Sequence, residues 1–205
     1  MPRRLRIGYY KKIFPRPVFE AIAASQLYVD DLPMVMLAYR LGKYGHRGQT
    51  RKDFSRYFDH PKAIALIIML EFGVYKPKPI ILGLTHDLME DSFILAWQDI
   101  QLIFGRDIYR GLRIITKEEH KDYFAGLERA DWWIILVKLA DRLHNLRQLL
   151  HTTKKFKKRQ LAETDREFPR LLDAFEKKVP AEYSYLPAYI HQEFAYAIQK
   201  VKRSL

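Results

Sequence analysis

Leu84-Thr85-His86-Asp87-Leu88-Met89-Glu90-Asp91 is the stretch around which the chain is organised. It carries a His-Asp doublet and, four residues on, a Glu-Asp doublet. On a helix, residues four apart lie one above the other, about 6 Å along the axis. That spacing sets His86 over Glu90 and Asp87 over Asp91, so four groups able to bind metal or move protons share one helical segment. Ile80, Ile81, Leu84 and Leu88 supply an apolar stripe by which the same segment packs on its other side. A helix of this kind needs other helices to bury its stripe and to complete any site.

The flanking sequence offers such helices. Pro17 to about Tyr28 and Asp31 to Tyr44 read as two helices, with prolines suited to first helical positions. Thr50 to Asp59 has no period and reads as a loop. His60-Pro61 opens an apolar helix that Gly73 stops. After the His-Asp segment, helical patterns run from about Phe93 to Phe104 and from Asp107 to Thr116, separated by Gly105. Lys117 to Asp131 reads as a polar, partly helical connection. From Asp131 to Leu150 the apolar positions Ile135, Leu139, Leu143, Leu146 and Leu150 keep helical spacing. Lys138, Asp141, Asn145 and Gln148 form a separate polar stripe on that helix. Glu163 to Lys178 and Glu182 to Lys200 complete the pattern. No segment shows a strand period, so the expected fold class is all-α, a compact bundle of roughly eight to ten helices.

Composition narrows the chemistry. The chain has 205 residues, 48% hydrophobic, and no cysteine. Disulfides and thiolate ligands are excluded, so a metal must be held by histidine and carboxylate. No apolar run is long enough to cross a bilayer. The segment Met1-Pro-Arg-Arg-Leu-Arg6 is basic without the apolar core of a secretory signal, so a cytoplasmic protein is expected. The net charge of +12 suits polyanionic partners: nucleic acid, acidic membranes or phosphorylated small molecules.

A site for a divalent ion needs several donors converging from different elements. His60, His86-Asp87 and Asp141 come from three separate helical regions and are the candidates. His46, His120, His144, His151 and His191 lack such placement and are expected to pack or face solvent.

In their order, these residues resemble a known family. His60-Pro61, His86-Asp87-x-x-Glu90-Asp91 and Lys138-Leu-Ala-Asp141-Arg-Leu-His-Asn145 are similar to the HD-domain hydrolases of the RelA/SpoT type, including the small stand-alone alarmone hydrolases. His46-Arg-Gly-Gln-Thr-Arg51-Lys52, Ile100-x-x-x-Phe104-Gly105 and Thr116-Lys117 extend the likeness from about Asp31 to Ala174. The resemblance implies a helical enzyme with one manganese ion that removes pyrophosphate from the 3′ position of guanosine tetra- or pentaphosphate, or of adenosine analogues. It assigns His60, His86, Asp87 and Asp141 as metal ligands. Glu90 and Asp91 match the acidic pair linked to activation of water. Arg51, Lys52, Tyr57, Asn145 and Gln148 fall at substrate-binding positions. It also divides the chain into a basic arm and helix (1–30), the hydrolase domain (31–176) and a C-terminal helix packed on it (177–205). That length leaves no room for the synthetase domain of long members, so hydrolysis without synthesis is expected.

Two departures bear on specificity. The loop Asp53-Phe-Ser-Arg-Tyr-Phe-Asp59 carries Arg56 where the family usually has proline, and Gln148 replaces a frequent threonine. The same metal site would suit another phosphorylated nucleotide, such as NADPH, or a pyrophosphorylated RNA end. A reading of another class, a basic RNA-binding or antitoxin module, rests on Lys154-Lys-Phe-Lys-Lys-Arg159. Oligomeric state has no signature in the sequence.

Overall fold

The computed structural model describes residues 6–9, 14–51, 54–92, 94–117 and 122–205, and all of Asp91 except its side chain. It is all-α, as the periodicity predicts. The helices are α1 (Arg16–Ala24), α2 (Leu32–Gly45), α3 (Asp59–Leu66), α4 (Pro77–Thr85), α5 (Leu88–Asp91), α6 (Trp97–Ile115), α7 (Tyr123–Arg129), α8 (Trp132–Gln148), α9 (Lys154–Glu176) and α10 (Leu186–Lys202). Among the described residues the β structure is limited to one isolated antiparallel bridge, Thr50 with Arg56. No helix among them is long and apolar enough to cross a membrane.

Two helices form the centre: α4 is apolar almost all round, and α8 buries Asp141, Arg142, His144 and Arg147 along with its apolar residues. Every residue of α4 from Pro79 to Thr85 is buried, and α8 is buried nearly continuously from Trp133 to Leu146. α4 packs against α2, α3, α6 and α8; α8 packs against α3, α9 and α10. Gly42 lies where α2 crosses α4. A Cβ there would stand 2.5 Å from the Leu84 carbonyl oxygen and 2.7 Å from the Phe58 ring, so the crossing depends on the missing side chain.

Several boundaries differ from the sequence reading. The helix opened by His60-Pro61 widens into a π-turn over Ile67–Glu71. The helix expected from Phe93 begins at Trp97, where Asp99 accepts the Ala96 backbone N–H. Gly105, with φ +80 and ψ 175, leaves helical geometry inside α6 and divides it into two helical pieces across a kink, as the sequence reading expects. α9 begins nine residues before the expected Glu163, with Thr153 accepting the Phe156 N–H. Lys154 to Arg159 are therefore its first turns, and Lys157 is buried with Nζ donating to Ser204.

Arg6 and Ile7 are tied into the core. Arg147 of α8 is buried and donates to both carboxylate oxygens of Glu71 (2.7 and 2.8 Å), to Glu193 (3.0 Å) and to the Ile7 carbonyl (2.6 Å). The Ile7 N–H donates to Glu71, and Arg6 forks onto Glu193 at 2.8 and 3.0 Å. Buried carboxylates are tolerated only with such compensation.

Candidate metal centre

The helix expected through His86 and Asp91 is interrupted at the His-Asp pair, where two neighbours reaching one ion require an irregular point. α4 ends at Thr85, His86 and Asp87 form a turn, and α5 starts at Leu88. Side chains take up backbone acceptors here: Thr85 Oγ1 donates to Ile81 O (2.8 Å) and His86 Nδ1 to Gly83 O (3.0 Å). Such local bonds compete with the helical ladder. The turn lets two sequence neighbours face one point, which a straight helix forbids.

At that point three elements converge. His60 comes from the first turn of α3, His86-Asp87 from the turn after α4, and Asp141 from the middle of α8. One ligand atom from each of His60, His86 and Asp141 lies within 4.8 Å of the others, and all three residues are buried. His60 Nε2 is 3.2 Å from Asp141 Oδ1 and 3.8 Å from Asp87 Oδ2; His86 Nε2 is 3.0 Å from Asp87 Oδ1.

This donor set fits a divalent ion that takes nitrogen and oxygen ligands. The bond from His86 Nδ1 to Gly83 O fixes a proton on Nδ1 and turns Nε2 toward the carboxylates, where it has no aligned hydrogen-bond partner. A backbone carbonyl behind a histidine is the usual device that orients a ligating imidazole. His60 is held in the same way by His144, the two Nδ1 atoms being 2.8 Å apart.

A second layer holds the carboxylates. Lys138 donates to Asp141 Oδ2 (3.0 Å) and Asn145 Nδ2 to Asp141 Oδ1 (2.6 Å). Arg51 in turn donates to Asn145 Oδ1 (3.0 Å), and Tyr57 donates to Asp87 Oδ2 (3.2 Å). One Arg51 nitrogen, Nη1, is buried without a hydrogen-bond partner among the described residues.

Electrostatics follow from this arrangement. Burial and the nearby Arg51 charge push the His60 imidazole down to about 4. For His86, burial works in the same direction, but the charges of Asp87 and Asp141 prevail and hold it up at about 9. Burial opposes ionisation of Asp141, yet Lys138 and the two histidines keep it well below the carboxylate range. Asp87 is likewise low, against burial, because of His86 and His60. Glu90 is exposed at the rim and accepts the Lys117 backbone N–H. Its carboxyl is raised, first by desolvation.

The structure thus brings together His60, His86, Asp87, Asp141, Asn145, Arg51 and Tyr57. Gln148 turns the other way, its amide donating to the Gly8 carbonyl. Lys52 and the Asp91 side chain lie outside the described residues. His144, expected to pack or face solvent, is buried against a candidate ligand. Its signal was its place three residues after Asp141, on the same face. The Gly83 carbonyl, a backbone group, had no signal.

No family model matches the chain. Among curated proteins, a guanosine-3′,5′-bis(diphosphate) 3′-pyrophosphohydrolase of Spiroplasma citri is 32% identical over 149 residues, 63% of this chain and 19% of that protein. The bifunctional (p)ppGpp synthase/hydrolase SpoT of Escherichia coli K12 is 30% identical over 133 residues, 58% of this chain and 18% of its own length. A GTP pyrophosphokinase of Myxococcus xanthus is 31% identical over 159 residues, 68% of this chain and 20% of that protein. The chain thus spans about one fifth of the length of the curated relatives it matches. A solved structure described as a metazoan ortholog of SpoT that hydrolyses ppGpp superposes with a TM-score of 0.64 at 20% identity, covering 80% of this chain and 94% of that one. At that identity the likeness is one of fold. The chain is thus related, in sequence and in fold, to the RelA/SpoT proteins.

Proposed function

We propose that the chain is a manganese-dependent hydrolase that removes pyrophosphate from the 3′ position of a purine nucleotide. Guanosine tetra- and pentaphosphate are the leading substrates and adenosine analogues the next. The observation that carries this reading is the convergence of His60, His86 and Asp141, with Asp87 Oδ1 3.0 Å from His86 Nε2. The names of the relatives from Spiroplasma and Escherichia supply the substrate class. A cytoplasmic setting belongs to the same reading.

In the reaction, water adds to the phosphorus joined to the ribose 3′ oxygen, that P–O bond breaks, and the 3′ oxygen leaves with a proton. His60, His86, Asp87 and Asp141 would hold one ion, which supplies positive charge at the reacting phosphoryl group. Either Glu90 or Asp91 receives the proton of the attacking water and returns it to the leaving 3′ oxygen. The raised Glu90 carboxyl suits that work, since a base of higher pKa holds a proton more readily. Arg51 offers Nη1, which has no hydrogen-bond partner among the described residues, to a phosphate oxygen while Asn145 holds the other arm of its fork. Lys52 adds charge and Tyr57 lines the entrance beside Asp87. Gln148 joins the substrate set only by exchanging its bond to Gly8.

The test is a panel of guanine, adenine and nicotinamide nucleotides, with and without a 3′-pyrophosphate, incubated with manganese. Pyrophosphate release from the 3′-pyrophosphates, lost on Asp87→Ala, is expected. If every guanosine and adenosine 3′-pyrophosphate stays intact, the reading fails.

A further inference from the structure

A second concave site lies behind the loop that carries Arg51 and Tyr57. Those two residues turn toward the metal cluster. Their neighbours Thr50 and Arg56, paired by the isolated bridge, line a cavity of about 470 Å³ instead. None of His60, His86, Asp87 or Asp141 lines it.

Its wall is strongly positive. Arg16, Lys43, Arg47, Arg56 and Lys62 face one carboxylate, Asp59. Lys62 is committed to Asp59 at 2.9 Å, and Arg16 lies 3.7 Å from Glu20. Lys43, Arg47 and Arg56 have no ion pair among the described residues. His46 also lines the cavity. It is 3% exposed, its Nδ1 donates to Gln49, and its Nε2 has no hydrogen-bond partner among the described residues. Concentrated cationic charge in a concave site raises the local concentration of anions.

We propose that this cavity binds a pyrophosphate-class anion, separately from the metal cluster. Three cations with no ion pair among the described residues match a multiply charged ligand, and arginine forks suit paired phosphate oxygens. The source is either free pyrophosphate or the diphosphate arm of a nucleotide. The inference does not depend on the proposed reaction, because it concerns equilibrium binding at residues outside the cluster.

Calorimetric titration with inorganic pyrophosphate, GDP and sulfate tests it, using the purified protein and the variants Asp141→Asn and Arg47→Ser/Arg56→Ser. Asp141→Asn should bind pyrophosphate, and the double variant about ten- to a hundredfold more weakly, the range expected for lost bonds to a charged group. Lys43→Ser, at an exposed helix position, is a second variant should the double one fold poorly; it is expected to weaken binding about tenfold. Tighter binding of GDP than of pyrophosphate identifies the nucleotide arm, and the reverse identifies the free anion. The proposal is overturned if the arginine and lysine variants bind like the unaltered protein. Binding lost only in Asp141→Asn, or sulfate bound as tightly as pyrophosphate, overturns it equally.

Discussion

Replacing Asn145 by alanine separates two roles that the structure joins in one amide. The Nδ2 group donates to Asp141 at 2.6 Å, and Oδ1 accepts from Arg51 at 3.0 Å. Each bond has a charged partner, and such bonds contribute about 1.5–3 kcal/mol. Asp141 keeps its other oxygen on Lys138 at 3.0 Å, so it stays ionised and partly oriented. That places the loss of metal affinity at the low end of the range for outer partners of metal ligands, about tenfold. Arg51, released from its anchor, loses its fixed aim, and KM for a 3′-pyrophosphorylated nucleotide should rise. Manganese binding followed by electron paramagnetic resonance gives the first quantity and steady-state kinetics the second. Gln148→Ala is the control. It lies on the same stripe of α8 but bonds to Gly8, so manganese affinity should not move. If Asn145→Ala binds manganese within about twofold of the unaltered protein, below the usual effect of such partners, the bridging role assigned to Asn145 is wrong.

Other expectations follow from the core and the cluster. Arg147→Met leaves Glu71 buried without its counter-charge and Glu193 with Arg6 alone, and should cost about 3–5 kcal/mol in urea unfolding at neutral pH. Burial already holds the Glu71 carboxyl above its ordinary value. A carboxyl raised in the folded state loses stability as pH climbs from its unfolded value through its folded one, so the deficit should be smaller at pH 5 than at pH 8. If His86 is a ligand of the proposed manganese ion, binding must displace a proton from its imidazole, which is held up at about 9. Its affinity should therefore rise with pH from 6 to 8, by up to about tenfold per unit; a flat profile in a manganese titration would refute this. Gly42→Ala forces a Cβ against the Leu84 carbonyl and should destabilise by about 1–3 kcal/mol in the same urea assay.

The helices were legible because α4 and α8 keep an apolar period strong enough to survive without context. The cluster was legible because His60, His86 and Asp141 sit at fixed places in helical strings. What stayed hidden had non-local or backbone causes. The break before Asp87 arises from Thr85 and His86 bonding to carbonyls three and four residues back, which no hydrophobic pattern encodes. The early start of α9 was missed because Lys154 to Arg159 favour helix without supplying a sustained apolar period. Arg6 and Ile7 read as a basic arm because their partners, Glu193 and Glu71, lie far away along the chain.

The contact between His60 and His144 has a consequence for observation. Only one proton fits between two Nδ1 atoms 2.8 Å apart when both rings are neutral, which is the state that burial favours for each. While His60 Nε2 carries its hydrogen toward Asp141, Nδ1 accepts and His144 donates. Once His60 Nε2 gives its lone pair to an ion, Nδ1 must carry the hydrogen, and His144 must become the other tautomer. The state of the cluster is thereby copied onto a ring that never touches the ion. Nitrogen chemical shifts of His144 would read it as an internal gauge.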